Sequence, residues 1–529
     1  MFNLEQWIFC SKLFWFTLVT YILYLAYLKF IAFNYWKRKG IPHEEPVLIF
    51  GNLLKSSRGL ISIGEDVRRN YEKFCEYPIH GIYMFSNPIL MVNDPELIRV
   101  VLVKEFARFR DRGLYFDDKV DPLTSNLFFL PGEKWRKLRS KLTPTFTSGK
   151  LKHIYPLLQE IGDELAKVVE KSMTRSDIIE VKDLCARYTT DSIASIAFGV
   201  NCDSLNHPDS EFRKYGDMIV KKRSNIQLTF GMFSPSVLTF LRIPIIDKTV
   251  FNFFIKAFSD MVEYRKREKI VRNDFLHLLI QLIEKGHVDD MEGEKFENIG
   301  DDSKITLMEA YAQAFVFFFA GFETSSATIA YALYELAINP DIQNKVDEEI
   351  DELLNSVDGC SYDNCVNNMK YLDMVVYETL RKHPTSPFLN RVCVEECDFP
   401  EVNYRVPKGM RIIIPASGIM KNPRYFPNPE KFDPERFSSK NADSRSPYVY
   451  LPFGQGPRSC IGVRLGMIQT KIALIRLLSK FKLSPCEKTS IPLKYSSRSI
   501  VQVPADGIYL KVERRRSKKT PSSLFNSTE

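Results

Sequence analysis

The sequence is poor in cysteine, with ten in 529 residues, too few for a disulfide scaffold. Its seven histidines include no His-Glu-x-x-His pair, which removes a zinc-protease reading. No glycine-rich dinucleotide fingerprint follows a predicted strand, which removes a dinucleotide-binding reading. Charge of one sign is also scarce. Lys plus Arg number 73 and Asp plus Glu 65, a net charge of +8. That excess sits in Lys37-Arg38-Lys39 and in Arg514-Arg515-Arg516 with Lys518-Lys519. The remainder is neutral and lacks the spread basic face that nucleic-acid binding needs. There is no internal repeat. What is present, 45% hydrophobic and 26% charged residues, is a globular composition that excludes wholesale disorder and collagen-like chains.

One long apolar run stands out. Leu13 to Leu28 carries no charge, and a snorkelling Lys29 extends the run to Phe33. As a helix this stretch spans about 31 Å, enough to cross a bilayer core of about 30 Å. The Lys37-Arg38-Lys39 cluster behind it places the downstream chain on the cytosolic side. The run is too long for a cleaved signal peptide, and no small-residue cleavage site follows it. On that side of the membrane, Asn526-Ser527-Thr528 is a chance match to a glycosylation acceptor.

Gly40 to Pro46, with two prolines and a glycine, reads as a stiff turn between anchor and body. Glu284 to Asp302, with eight acidic residues and three glycines, reads as a polar linker. The tail after Glu513 is basic and then Ser/Thr-rich, a disordered composition. Thr306-Leu307-Met308-Glu309 predicts a capping box. The helix it opens runs to Asn339-Pro340, about 50 Å, and its apolar middle from Phe315 to Phe322 must cross the interior. Asn339 is expected to cap the next helix, with Pro340 at its first position. Arg391 to Ile414 alternates short β-like runs with turns, and Leu465 to Leu478 is again helical. These patterns predict a mostly α fold with small β-sheets. The domains expected are a membrane anchor with its basic flank at 1–39, a single large body at 40–512, and a tail at 513–529.

The strongest chemical motif is Phe453-Gly454-Gln455-Gly456-Pro457-Arg458-Ser459-Cys460-Ile461-Gly462. Glycines and a proline hold one cysteine on a tight loop before a helix, where backbone N–H groups and the helix dipole favour a thiolate. This segment resembles the haem-binding loop of the cytochrome P-450 monooxygenases. Further motifs follow the family's order, so the resemblance covers about Pro42 to Val512. Glu378-Thr379-Leu380-Arg381 resembles the Glu-x-x-Arg motif, and Phe432 to Phe437 resembles the segment whose Arg, here Arg436, completes a buried triad with it. Ala320-Gly321-Phe322-Glu323-Thr324-Ser325 resembles the oxygen-activation motif. Trp135-Arg136-Lys137-Leu138-Arg139 resembles the helix that donates Trp and Arg to a haem propionate.

The resemblance implies haem b with Cys460 as its axial thiolate and sole metal ligand. Trp135, Arg139, Ala320, Arg391, Phe453, Arg458 and Gly462 are implied around it, with Arg112 as a weaker candidate. It also implies that Glu323 relays protons to a water held by Thr324, and that the small Ala320 and Gly321 leave room for dioxygen. Implied partners are NADPH–cytochrome P-450 reductase as the route from NADPH, cytochrome b5 as a further candidate, the endoplasmic reticulum membrane, and a lipophilic substrate. Arg136, Lys137, Lys141 and Arg464 are expected to face the reductase. The pairs Cys360-x4-Cys365 and Cys393-x3-Cys397 are poorly spaced for a four-thiolate zinc site.

The stretch from Trp135 to Lys152, with Thr143 to Lys150, resembles the animal microsomal detoxification enzymes, and Tyr115 to Lys119, Asp121-Pro122-Leu123 and Asn126 to Phe129 resemble their insect xenobiotic-metabolising branch. Pocket walls are expected from Tyr115 to Phe129, Phe230 to Ile246, Phe315 to Phe319 and Ser386 to Leu389. A hydroxylase of an endogenous steroid, terpenoid hormone or fatty acid is the nearest alternative. An oxygen-independent haem-thiolate isomerase and a non-catalytic haem or ligand binder are alternatives of other classes.

Overall fold

The computed structural model describes residues 4–221, 225–272, 274–288, 304–356, 359–442, 444–499 and 501–515. Most of the expected acidic linker (289–302) and the tail beyond Arg515 lie outside these residues. The apolar run forms helix α1, Leu4–Phe30, which starts nine residues before the uncharged stretch. By length and composition Phe9–Lys39 can cross a membrane. Most described side chains in the first part of α1 are exposed, Trp7 and Phe16 at 70% each, an arrangement that water disfavours and lipid does not. Leu28, Phe33 and Trp36 are instead buried. Trp36 Nε1 donates to the Ile82 carbonyl at 3.1 Å, and the Tyr83 hydroxyl donates to the Phe33 carbonyl at 2.9 Å, which seats the end of the anchor on the body.

The body is built from long helices. Those that matter for the site are α2 (Gly132–Leu142), α3 (Ser148–Met173), α4 (Val181–Phe198), α5 (Asn225–Phe233), α6 (Pro235–Leu241) and α7 (Lys248–Arg267). They are followed by α8 (Leu307–Ile338), α9 (Pro340–Asn355), α10 (Lys370–Lys382) and α11 (Val463–Leu478). Helix α8 is the spine. Thr306 and Glu309 form both halves of the capping box, at 3.1 and 2.8 Å. Almost everything from Ala310 to Ala337 is covered, α4 packing most extensively, so its apolar length marks a core helix. Gly321 allows that contact: a Cβ there would lie 2.7 Å from the Ile193 side chain of α4. Its small size therefore serves helix packing as well as cavity space. Asn339 departs from expectation. It makes no side-chain cap for α9 but donates back to the Glu335 carbonyl at 2.8 Å, closing α8.

Three small sheets flank the helices. Strands β1 (Ile79–Met84), β2 (Asn87–Val92), β4 (Leu389–Val392) and β7 (Arg411–Ile414) form one in the order β1-β2-β7-β4, with β2 and β7 parallel. Strand β3 (Ile178–Glu180) joins β9 (Tyr509–Arg514) and β8 (Phe481–Pro485), and β5 (Cys397–Phe399) pairs with β6 (Tyr404–Val406). Register in the first sheet sets Arg391 opposite Ile412. Glu378 and Arg381 share one face of α10, as their i, i+3 spacing requires, and are fully buried. Arg381 donates to both Glu378 oxygens at 2.7 and 2.9 Å and to the Met420 and Pro429 carbonyls at 3.0 and 2.7 Å. Arg436 reaches Glu378 at 3.3 Å. The expected triad is present and ties the segment before the cysteine loop to α10.

Candidate active site

A cavity of about 380 Å³ lies between α8, the cysteine loop and the end of β4. The cysteine loop is held by backbone geometry. Gly456 has φ 76°, and a Cβ there would lie 2.0 Å from the Leu102 carbonyl oxygen, so the position requires glycine. The Cys460 N–H donates to the Phe453 carbonyl at 2.9 Å, and Gly462 precedes the first turn of α11. Cys460 has free surface, yet protein surrounds it and the surface faces the cavity. Burial pushes its thiol up, while the Gly462 N–H, Arg139 and Arg112 pull it down less strongly. The backbone thus acts as expected and two arginines add to it, but alone they leave a thiol; a metal bound to the sulfur would complete the thiolate.

Four arginines line the same cavity: Arg112, Arg139, Arg391 and Arg458. Arg139 donates to the Ser459 carbonyl at 3.0 Å, Arg391 to the Asn390 carbonyl at 2.7 Å, and Arg458 to the Arg110 carbonyl at 2.6 Å. Arg112 lies 4.2 Å from the centre of the Phe128 ring, and Arg458 lies 4.6 Å from that of Trp135. Among the described residues, the carboxylate at ion-pair distance from this group is Asp111, 3.8 Å from Arg458. The Nε atoms of Arg391 and Arg458 are buried without a partner. Burial and mutual repulsion push Arg458 down to about 8, Arg391 to about 9 and Arg112 to about 10. A guanidinium does not give up its proton at neutral pH, so these shifts express unmet demand for anions. A planar dianion beside a thiolate fits: the propionates of a haem would meet the arginines and Cys460 its iron.

The α8 wall carries Ala320, Gly321 and Thr324. Ala320 is exposed in the middle of a core helix because it faces this cavity. The Thr324 hydroxyl donates to the Ala320 carbonyl at 2.6 Å. Glu323 does not join them. Its carboxylate is buried against α4, 3.2 Å from Lys182 Nζ, which also lies 3.1 Å from Ser326 Oγ. The structure therefore brings Thr324 to the cavity and turns the expected proton donor away. Trp135, Phe453 and Gly462 all line the cavity.

The four expected wall segments contribute Phe128, Met232, Ile245, Phe317 and Phe388 among others. Sequence reasoning missed Ile193 on α4 and Phe146 before α3, which also line the cavity. Ile193 carries no local signal, and Phe146 was read only as part of a family-like stretch. Of the expected reductase-facing cations, Arg136 and Lys137 are exposed on α2 and Arg464 on α11. Lys141 is a correction: it is buried, with Nζ 2.7 Å from the Gly286 carbonyl. It follows Leu138 and Leu142 onto the inner face of α2 and reaches a backbone acceptor there.

Comparison with known proteins gives the same direction. The family model described as Cytochrome P450 matches residues 41–512. The chain is 43% identical over 516 residues to the probable cytochrome P450 6a14 of Drosophila melanogaster, covering 95% of this chain and 100% of the relative. It is 40% identical to cytochrome P450 6a2 of Drosophila melanogaster, covering 93% and 97%, and 39% identical to cytochrome P450 6A1 of Musca domestica, covering 92% and 95%.

Proposed function

The chain belongs to the cytochrome P450 family and is a monooxygenase of that family; from that premise we propose that it inserts one oxygen atom of O2 into lipophilic xenobiotics such as plant toxins or insecticides. The observation that carries this reading is the convergence on one cavity of Cys460, four under-neutralised arginines, the Thr324 hydroxyl and apolar, aromatic walls. Haem bound there would supply the activation of dioxygen. Cys460 would hold its iron, and Arg112, Arg139, Arg391 and Arg458 its propionates, with Trp135 packed behind Arg458. Phe453 and Gly462 shape the loop that presents the sulfur.

The chain's own work is to bind, to exclude water and to place protons. Aromatic side chains at Phe128, Phe317 and Phe388 favour flat or branched apolar molecules. Thr324 Oγ1 is free to exchange its bond with Ala320 for one to a cavity water. Glu323 would feed that water only after its carboxylate leaves Lys182. The body at 40–512 would act on the cytosolic face of the endoplasmic reticulum, with residues 1–39 as a single-pass anchor and 513–529 as a tail. Electrons would come from NADPH through a separate reductase, docking near Arg136, Lys137 and Arg464, with cytochrome b5 as a second donor.

The test uses the full chain, loaded with haem and reconstituted with the reductase. A panel of plant toxins, insecticides, steroids and fatty acids is scored for binding-induced haem spectral shifts and for NADPH-dependent product. Oxygenated products from several toxins or insecticides are expected. Turnover confined to one steroid or fatty acid would replace the xenobiotic reading with an endogenous one.

A further inference from the structure

Glu323 turns away from the cavity, yet the helices behind Thr324 enclose other polar groups. Gln469 lies on α11 and is fully buried. Among the described residues neither its Nε2 nor its Oε1 has a hydrogen-bond partner, and the residue lines the cavity. Ser192 on α4 is fully buried too, and its Oγ is likewise unpartnered. The two belong to one place. The Tyr188 hydroxyl donates to the Gln469 carbonyl at 3.1 Å, and Ser192 follows Tyr188 by one turn on the same face of α4.

Helix α8 supplies the third side. A Cβ built on Gly466 would meet Ser325 Oγ at 4.0 Å and, beyond its own helix backbone, no other described heavy atom within that distance. A gap therefore separates α11 from α8 here, and Gln469 stands one turn further along that side of α11. Thr324, Ser325, Gly466 and Gln469 line the same cavity. A buried amide unpaired at both ends is strongly destabilising in a dry site. Three unpaired atoms and a facing hydroxyl around a gap are instead the set of partners that buried water needs. The amide donates at one end and accepts at the other, so it can order such water in one sense.

We propose that the fork between α4, α8 and α11 is a site for buried water, and that Gln469 is its positioning residue, holding a water chain that supplies protons to Thr324 by a route that bypasses Glu323. Each water and hydroxyl in the chain hands one proton forward as it takes one from behind, so every group ends unchanged. The amide orients the chain without titrating. The inference rests on Thr324 holding a cavity water, as proposed above.

The test uses the haem-loaded full chain. Gln469→Met keeps the side-chain length and removes both polar ends, whereas Gln469→Glu keeps two polar oxygens. Gln469→Met should lower the melting temperature by about 2 °C, because Ser192 and the water both lose a partner. An unchanged or higher melting temperature would show that the amide is dry and would overturn the water site.

Reconstitution with the reductase, NADPH and 7-ethoxycoumarin as the probe then reads peroxide released per product formed at matched NADPH consumption. Gln469→Met should raise this ratio at least about threefold, and Gln469→Glu should restore most of the wild-type value. An unchanged ratio in Gln469→Met, or an equal rise in Gln469→Glu, overturns the positioning role. In a Thr324→Ala background Gln469→Met should add nothing, since both act on one water; a fully additive rise also overturns it. A raised ratio in Gln469→Met beside an unchanged one in Thr324→Ala would instead remove the water-holding role of Thr324, on which the inference rests.

Discussion

Two buried clusters of arginine lie within this fold, and they are neutralised to different degrees. In the first, Arg381 spends its donors on both oxygens of Glu378 and on two carbonyls, with Arg436 alongside. In the second, Arg112, Arg139, Arg391 and Arg458 line one cavity; among the described residues the carboxylate at ion-pair distance is Asp111, 3.8 Å from Arg458 alone, and the Nε atoms of Arg391 and Arg458 have no hydrogen-bond partner. Burial disfavours charge in both places. The first cluster closes on a carboxylate of the chain itself, with Arg436 Nε at 3.3 Å from Glu378 as an ion pair without a hydrogen bond, and holds structure. The second is complete only with an anion that the described residues do not supply, which is the mark of a cofactor site.

The sharpest way to break this contrast is Arg381→Ala. It strands the buried Glu378 carboxylate, at a cost of about 3–5 kcal/mol, and should abolish folded haem-loaded protein. Normal holoprotein yield would show that the triad is dispensable. Arg391→Met should act differently. Removing an under-neutralised charge should raise the melting temperature of the haem-free protein, while loss of a charge-assisted bond worth about 1.5–3 kcal/mol should speed haem transfer to apomyoglobin roughly tenfold or more. Lower stability in both states would place Arg391 with the structural cluster.

A third buried network supplies a pH test. His383 Nε2 lies 2.6 Å from Glu335 Oε1, and Lys382 Nζ lies 3.0 Å from the same oxygen. Burial pushes His383 down; burial also pushes Glu335 up, but His383 and Lys382 outweigh it and leave that carboxyl below its usual range. Both groups bind protons less readily folded than unfolded, so both stabilise the fold above their unfolded values. The histidine share should fade below about pH 6.5 and the glutamate share below about pH 4.5. Acid unfolding monitored by circular dichroism should be shallower at its lower end in Glu335→Gln; an unchanged profile would remove Glu335 from the account.

The smallest effect on stability is expected at Thr324. Thr324→Ala should keep haem and ligand binding but release more peroxide and less product per NADPH oxidised, and Thr324→Ser should restore much of the ratio. An unchanged ratio in Thr324→Ala would withdraw the water-holding role.

Much of this was legible because it is written locally. The capping box at Thr306, the i, i+3 pair at Glu378 and Arg381, and the glycines around Cys460 each specify their geometry within a few residues. What was not legible is direction. Adjacent helix residues differ by about 100°, so the cavity-facing side of α8 can take either neighbour of Thr324; it takes Ser325, and only the lysine on α4 reveals that Glu323 turns away. Lys141 sits on an inward face that its charge disguised. Ile193 reaches the cavity only because α4 packs on α8 at Gly321, a contact that no pattern within either segment encodes.

The central claim is that the under-neutralised arginines and Cys460 form one haem-thiolate site. The most direct measurement is the absorption spectrum of reduced, carbon monoxide-bound holoprotein in wild type and Cys460→Ala. The strongly red-shifted Soret band of a thiolate-ligated haem is expected in the wild type and absent from the variant. Its persistence in Cys460→Ala would contradict the account.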